Sequence, residues 1–125
     1  MRDDLPDSFS RAHRLEAWNI AGDLLGTWEG SAAAAVLELV AAFPAGEGMR
    51  CFNPGYAIWA YAADDSLLFD LEFCYRCNWV GVREPGHRQR LVPFDPKSVW
   101  AEELLARFQA FELPPDLSRA GTAPG

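Results

Sequence analysis

The run from Tyr56 to Tyr75 constrains this chain more than any other part of its 125 residues. Two segments rich in aromatic and aliphatic residues, 56–62 and 67–75, flank the turn-forming pair Asp64-Asp65. Centring a hairpin on that pair sets Tyr56, Ile58, Ala60 and Ala62 opposite Phe73, Leu71, Phe69 and Leu67. Ala57, Trp59 and Tyr61 then face Glu72, Asp70 and Leu68. Because strand side chains alternate, this register gathers the apolar set on one face, and a slip of one residue would scatter it. The first face is expected to be core, and the second is a mixture of aromatic and acidic groups.

Two helices are expected to pack on this hairpin. Over residues 31–43, Val36, Leu39, Val40 and Phe43 form an i, i+3, i+4, i+7 stripe. Ser31 is the expected N-cap, and Pro44 and Gly46 stop the helix. Over residues 96–112, Trp100, Leu104, Phe108 and Phe111 line one side, with Asp95 as N-cap and Pro96 in the first turn. Residues 9–20 admit two readings: Phe9, Ala12, Leu15 and Trp18 fall at helical spacing, whereas residues 13–20 alternate as a strand would, and the strand is the reading favoured. Gly22, Gly26 and Gly30 make the following stretch read as loop, and they lack the Lys-Ser/Thr of a phosphate loop. Trp79–Val82 is expected to continue the second hairpin strand, and 90–94 to form a short further strand after a Pro85-Gly86 turn. The class is therefore α+β, a small antiparallel sheet with a central hairpin (56–62 and 67–75) packed by two helices (31–43 and 96–112). Residues 9–113 are read as a single domain between a frayed segment, 1–8, and a Pro- and Gly-rich flexible tail, 114–125.

Composition narrows the function. Eighteen acidic against eleven basic residues leave a net charge of −7, which disfavours nucleic acid and anionic lipid and suits a basic partner. The longest apolar run, 32–43, contains Glu38 and is too short to span a bilayer. The first residues carry no secretory signal pattern, and the odd number of cysteines, three, argues against a secreted disulfide scaffold. A cytoplasmic location with no membrane partner is expected. Composition leaves the oligomeric state open.

Three constellations have residue types suited to chemistry. Cys74-Tyr75-Arg76-Cys77, with Cys51 and His87, holds the donor types of a three-Cys, one-His zinc site, so zinc is the one cofactor the sequence raises. In a regular strand Cys74 and Cys77 point to opposite faces, so a shared ion requires the strand to break between them. The same cysteines read otherwise as small packing residues, or as a redox Cys-x-x-Cys, although no helix start follows them to lower a thiol pKa. Trp59, Tyr61, Asp70 and Glu72 share the second hairpin face, where aromatics flanked by charge suit a protein contact. Neither His13 nor His87 belongs to a nucleophile–base signature, so no catalytic residue is assigned and the chain is read as a non-enzyme.

Cys51-Phe52-Asn53-Pro54-Gly55-Tyr56-Ala57-Ile58 and Leu71-Glu72-Phe73-Cys74-Tyr75-Arg76-Cys77 together resemble a family of small uncharacterised bacterial proteins. These share a Cys-Phe-x-Pro segment and a strand ending in Phe-Cys-x-x-Cys or similar. The resemblance covers residues 51–80. It implies a bacterial origin, a shared α+β core and one structural unit holding all three cysteines, and it brings no established activity. The function expected on these grounds is a protein-binding domain, most concretely an immunity-type inhibitor of a basic protein toxin that docks on Trp59, Tyr61, Asp70 and Glu72. The alternatives are a zinc-stabilised domain using Cys51, Cys74 and Cys77, and a thiol redox protein.

Overall fold

The computed structural model describes residues 1–113, and the expected flexible tail, 114–125, lies outside them. Six strands form one antiparallel sheet: β1 (Arg14–Asn19), β2 (Leu24–Glu29), β3 (Tyr56–Tyr61), β4 (Leu67–Cys74), β5 (Trp79–Arg83) and β6 (Arg90–Pro93). Their spatial order is β2-β1-β3-β4-β5-β6. Helices α1 (Gly30–Ala41) and α2 (Val99–Glu112) pack on one face, giving the expected α+β two-layer arrangement.

The hairpin holds its expected register from Tyr56↔Phe73 to Ala60↔Phe69, and then a bulge pairs Tyr61 with Leu67 and leaves Leu68 extra. Leu15, Ala17, Ile58, Ala60, Phe69, Leu71, Phe73 and Val80 are fully buried on the helix side. Val36 and Val40 of α1 and Leu104 and Phe108 of α2 close the core over them. Phe108 stacks on Tyr56 at 4.6 Å between ring centroids and meets Trp28 and Phe73 at 5.6 and 5.8 Å. Trp100, expected on that apolar side, is instead 43% exposed, and Ala101 takes the buried place.

Several local expectations are corrected. The glycine-rich stretch is the strand β2. Gly26 leaves room for the Phe111 ring, which a Cβ would overlap, and Gly30 sits at φ +56, where the strand turns directly into α1. Ser31 is therefore inside the helix, and Glu29 occupies the N-cap position without a side-chain cap. For α2, Ser98 Oγ accepts from the Ala101 amide at 3.2 Å and is the cap. Asp95 Oδ1 accepts from the Lys97 amide, so Asp95-Pro96 forms the preceding turn rather than the helix start. Trp79–Val82 does not prolong β4. Asn78 (φ +64) reverses the chain, and β5 returns antiparallel to β4. Residues 1–8, expected to fray, instead enter two 3₁₀ turns. Leu5 and Ser8 are buried, and the Met1 amine donates to the Ala41 and Phe43 carbonyls.

Candidate functional site

Strand alternation sends the remaining side chains to the face opposite the helices, where register arranges them in rows. One row runs Leu24, Trp18, Ala57, Glu72, Gly81, and the next runs Thr27, Glu16, Trp59, Asp70, Arg83. A third runs Glu29, Arg14, Tyr61, Leu67. The four residues expected on one surface, Trp59, Tyr61, Asp70 and Glu72, do share this face. They divide into two parts. Toward β5, the loop before β3 and the turn after β5 cover the sheet: Phe52 and Gln89 fill the space a side chain at Gly81 would need, and Gln89 Nε2 donates to Glu72 at 2.7 Å. Toward β1 the face lies open.

The open part is built around Glu16. Tyr61 Oη and Trp18 Nε1 donate to its Oε1 at 3.0 and 3.3 Å, and Arg14 donates to Oε2 at 3.0 Å. The Arg14 guanidinium lies 4.4 Å from the centroid of the Tyr61 ring, and Trp18 meets Trp59 at 6.1 Å. Burial, reinforced by the bond to Glu16, raises the Tyr61 phenol above its ordinary value. Trp18, Trp59 and Tyr61 are all half-exposed. One carboxylate holds the polar tips of Trp18 and Tyr61, and Trp59 packs against Trp18. Glu16 and Trp18 escaped the sequence reading because only the β1–β3 pairing, between distant segments, places them beside Trp59.

Asp70 does not belong to the open surface. It is 4% exposed, and Arg83 Nε donates to its Oδ2 at 3.0 Å while Oδ1 has no hydrogen-bond partner. It helps line a hollow of about 260 Å³ with Trp59, Leu67, Arg83 and His87. Burial lifts its carboxyl above the ordinary value of 3.8, opposed by Arg83 and assisted by Glu72. A raised carboxyl stabilises the fold most while protonated, below the unfolded value, and loses that contribution as pH climbs through the folded value. Asp70→Asn has no such titration. Its stability relative to the parent is therefore expected to improve as pH rises from about 3.5 to about 7. Urea midpoints of the two proteins across that range measure this, and a flat or falling difference would contradict it.

The cysteines form a separate cluster. Cys51 and Cys77 are joined in a disulfide with Cα atoms 5.7 Å apart, and Cys74 is a buried free thiol. The strand does break after Cys74, as a shared ion would require, but the sulfurs of Cys51 and Cys77 are bonded to each other rather than free as thiolates. His87 lies in the turn after β5, beside the Asp70–Arg83 end of β4. That end is about 13 Å along the strand from Cys74, whereas zinc ligands must all reach one point within about 2.3 Å. Cys51, Cys74, Cys77 and His87 therefore do not assemble into one site. Among the described residues, no group of three His, Cys, Asp or Glu has the arrangement of a metal site. The expectation of packed thiols fits Cys74 alone, since Cys77, though buried, is bonded to the exposed Cys51.

Comparison with protein-family models, with curated proteins and with solved structures returned no match to this chain. No helix among the described residues is long and apolar enough to cross a membrane.

Proposed function

We propose that the chain is a cytoplasmic, non-enzymatic protein-binding domain whose helix-free sheet face receives a basic protein, an inhibitor of a basic toxin being the most concrete case. The observation that carries this reading is the open half of that face. Glu16 anchors half-exposed Trp18 and Tyr61 there, and half-exposed Trp59 packs beside Trp18, while both helices cover the opposite side. Aromatic groups with fixed rotamers lose little entropy on contact and dominate interface energetics. Leu24, 49% exposed and opposite Trp18, extends the apolar strip to the sheet edge. The net charge of −7 speeds encounter with a basic protein. Relative to the sequence reading, the anchors shift from Asp70 and Glu72 to Trp18 and Glu16, because Arg83 and Gln89 already engage the former pair.

The test is to isolate a stoichiometric complex from the host by native mass spectrometry and then remake it with variants. A basic partner is expected, with Trp59→Ala or Trp18→Ala weakening binding by about 30-fold or more. Arg107→Ala, on the exposed side of α2, should leave binding unchanged. Binding that survives both tryptophan substitutions would refute the face.

A further inference from the structure

We infer that Cys51, Cys74 and Cys77 form a thiol–disulfide exchange centre, in which Cys74 displaces Cys51 from Cys77 and delivers a reactive thiol to the surface. The inference is independent of the interaction face.

The position of the third sulfur carries it. Cys74 Sγ accepts a hydrogen bond from the Cys77 amide at 3.2 Å and another from the Asn53 amide at 3.4 Å. The first donor belongs to one half of the disulfide, and the second lies two residues from the other half. The free thiol is thus held between the two backbone segments that the disulfide joins. A thiol kept so close to a disulfide attacks it without the cost of a bimolecular encounter. The turn from Cys74 to Asn78 already folds the two cysteines of the Cys-x-x-Cys toward each other.

Burial gives the exchange a direction. Cys74 is 0% and Cys77 1% exposed, while Cys51 is an exposed loop residue. Solvent thiols are therefore kept from the buried pair, and the internal attack expels the cysteine that lies in the exposed loop. Cys74 loses its proton to solvent, and its sulfur bonds to Cys77 Sγ. The Cys51–Cys77 bond breaks, its electron pair leaves on Cys51, and that thiolate takes a proton from solvent. One disulfide and one thiol stand on each side of the step, so it needs no oxidant or reductant. The exposed Cys51 thiol is then competent to exchange with an external disulfide, such as a protein or glutathione disulfide.

The experiment uses the non-reduced full chain, treated under native conditions with N-ethylmaleimide and sampled over hours. Cleavage at the Asp64-Asp65 pair and after Arg76 separates all three cysteines for mapping. The label is expected on Cys51, in molecules that contain a Cys74–Cys77 disulfide, and it should vanish in Cys74→Ser. Label on Cys74 with Cys51–Cys77 intact, or no label at all, would overturn the inference. A second arm does not depend on Cys74→Ser folding. Cys51→Ser treated with oxidised glutathione should close Cys74–Cys77, and persistent free or glutathione-capped thiols there would equally overturn it.

Discussion

Phe108→Ala is expected to destabilise the domain by 3–5 kcal/mol, on the order of the whole stability of a marginal domain. Phe108 is fully buried, and its ring meets Trp28 of β2, Tyr56 of β3 and Phe73 of β4. Truncation leaves three aromatic rings facing a void that the rigid sheet cannot collapse to fill. It also removes a main apolar anchor of α2, whose Trp100 and following residue Leu113 remain substantially exposed. Thermal unfolding by circular dichroism measures the loss, which at this chain length corresponds to a fall of more than about 10 °C in Tm. A fall of only a few degrees would mean that α2 contributes little to the core.

The second large effect is expected at the disulfide. Cys77→Ser removes a crosslink between residues 26 apart in sequence. Loop-closure entropy puts the destabilisation at about 3.5 kcal/mol. The tether holds the loop between α1 and β3 against the turn that joins β4 to β5. Other contacts of that loop would survive: the Met49 amide bonds the Cys77 carbonyl at 2.9 Å, and Trp79 Nε1 donates to the Met49 carbonyl at 2.6 Å. Cys77→Ser cannot form either pairing, whereas Cys51→Ser retains the Cys-x-x-Cys pair. If exchange occurs as inferred, oxidised Cys51→Ser is expected to recover part of the loss, and chemical denaturation of both variants with and without reductant reads the difference. Equal midpoints for parent and Cys77→Ser would show that the crosslink does not constrain the unfolded chain.

What the sequence disclosed followed the range of the interaction that decides each feature. The hairpin register was legible from Tyr56 to Ala60 because alternation on both arms admits one alignment, and it failed at Leu68, where a bulge adds a residue that alternation cannot announce. The strand β2 was missed because Gly22, Gly26 and Gly30 carry turn chemistry. Gly26 serves a distant need, admitting the Phe111 ring, and Gly30 supplies the backbone angle at which β2 passes directly into α1. Trp59 and Tyr61 were identified as surface aromatics from their own hairpin. Glu16 and Trp18 join them only through a pairing across the whole of α1, and nothing local encodes it. Asp70 was placed on the correct face but taken as accessible, since the sequence does not show that Arg83 and the turn after β5 would close over it. Spacing alone left zinc, packing and redox chemistry open for the cysteines, because the connection between Cys51 and Cys77 is set by where the loop before β3 lies on the sheet.

The strand order has a consequence for how binding and folding depend on each other. Every neighbouring pair in the sheet is consecutive along the chain except β1 with β3. Within the sheet the chain is therefore two locally wired parts, β1–β2 and the β3-to-β6 meander, whose ladders join only along the β1–β3 seam, while α2 reaches back to pack on β2. Trp18 and Glu16 stand on one side of that seam, and Trp59 and Tyr61 on the other. Opening the seam would leave each half with its own ladder of hydrogen bonds, yet it would split the aromatic surface in two. A protein clamped across it would act as a staple, so amide exchange along β1 and β3 should slow on complex formation more than exchange in the β4–β5 ladder.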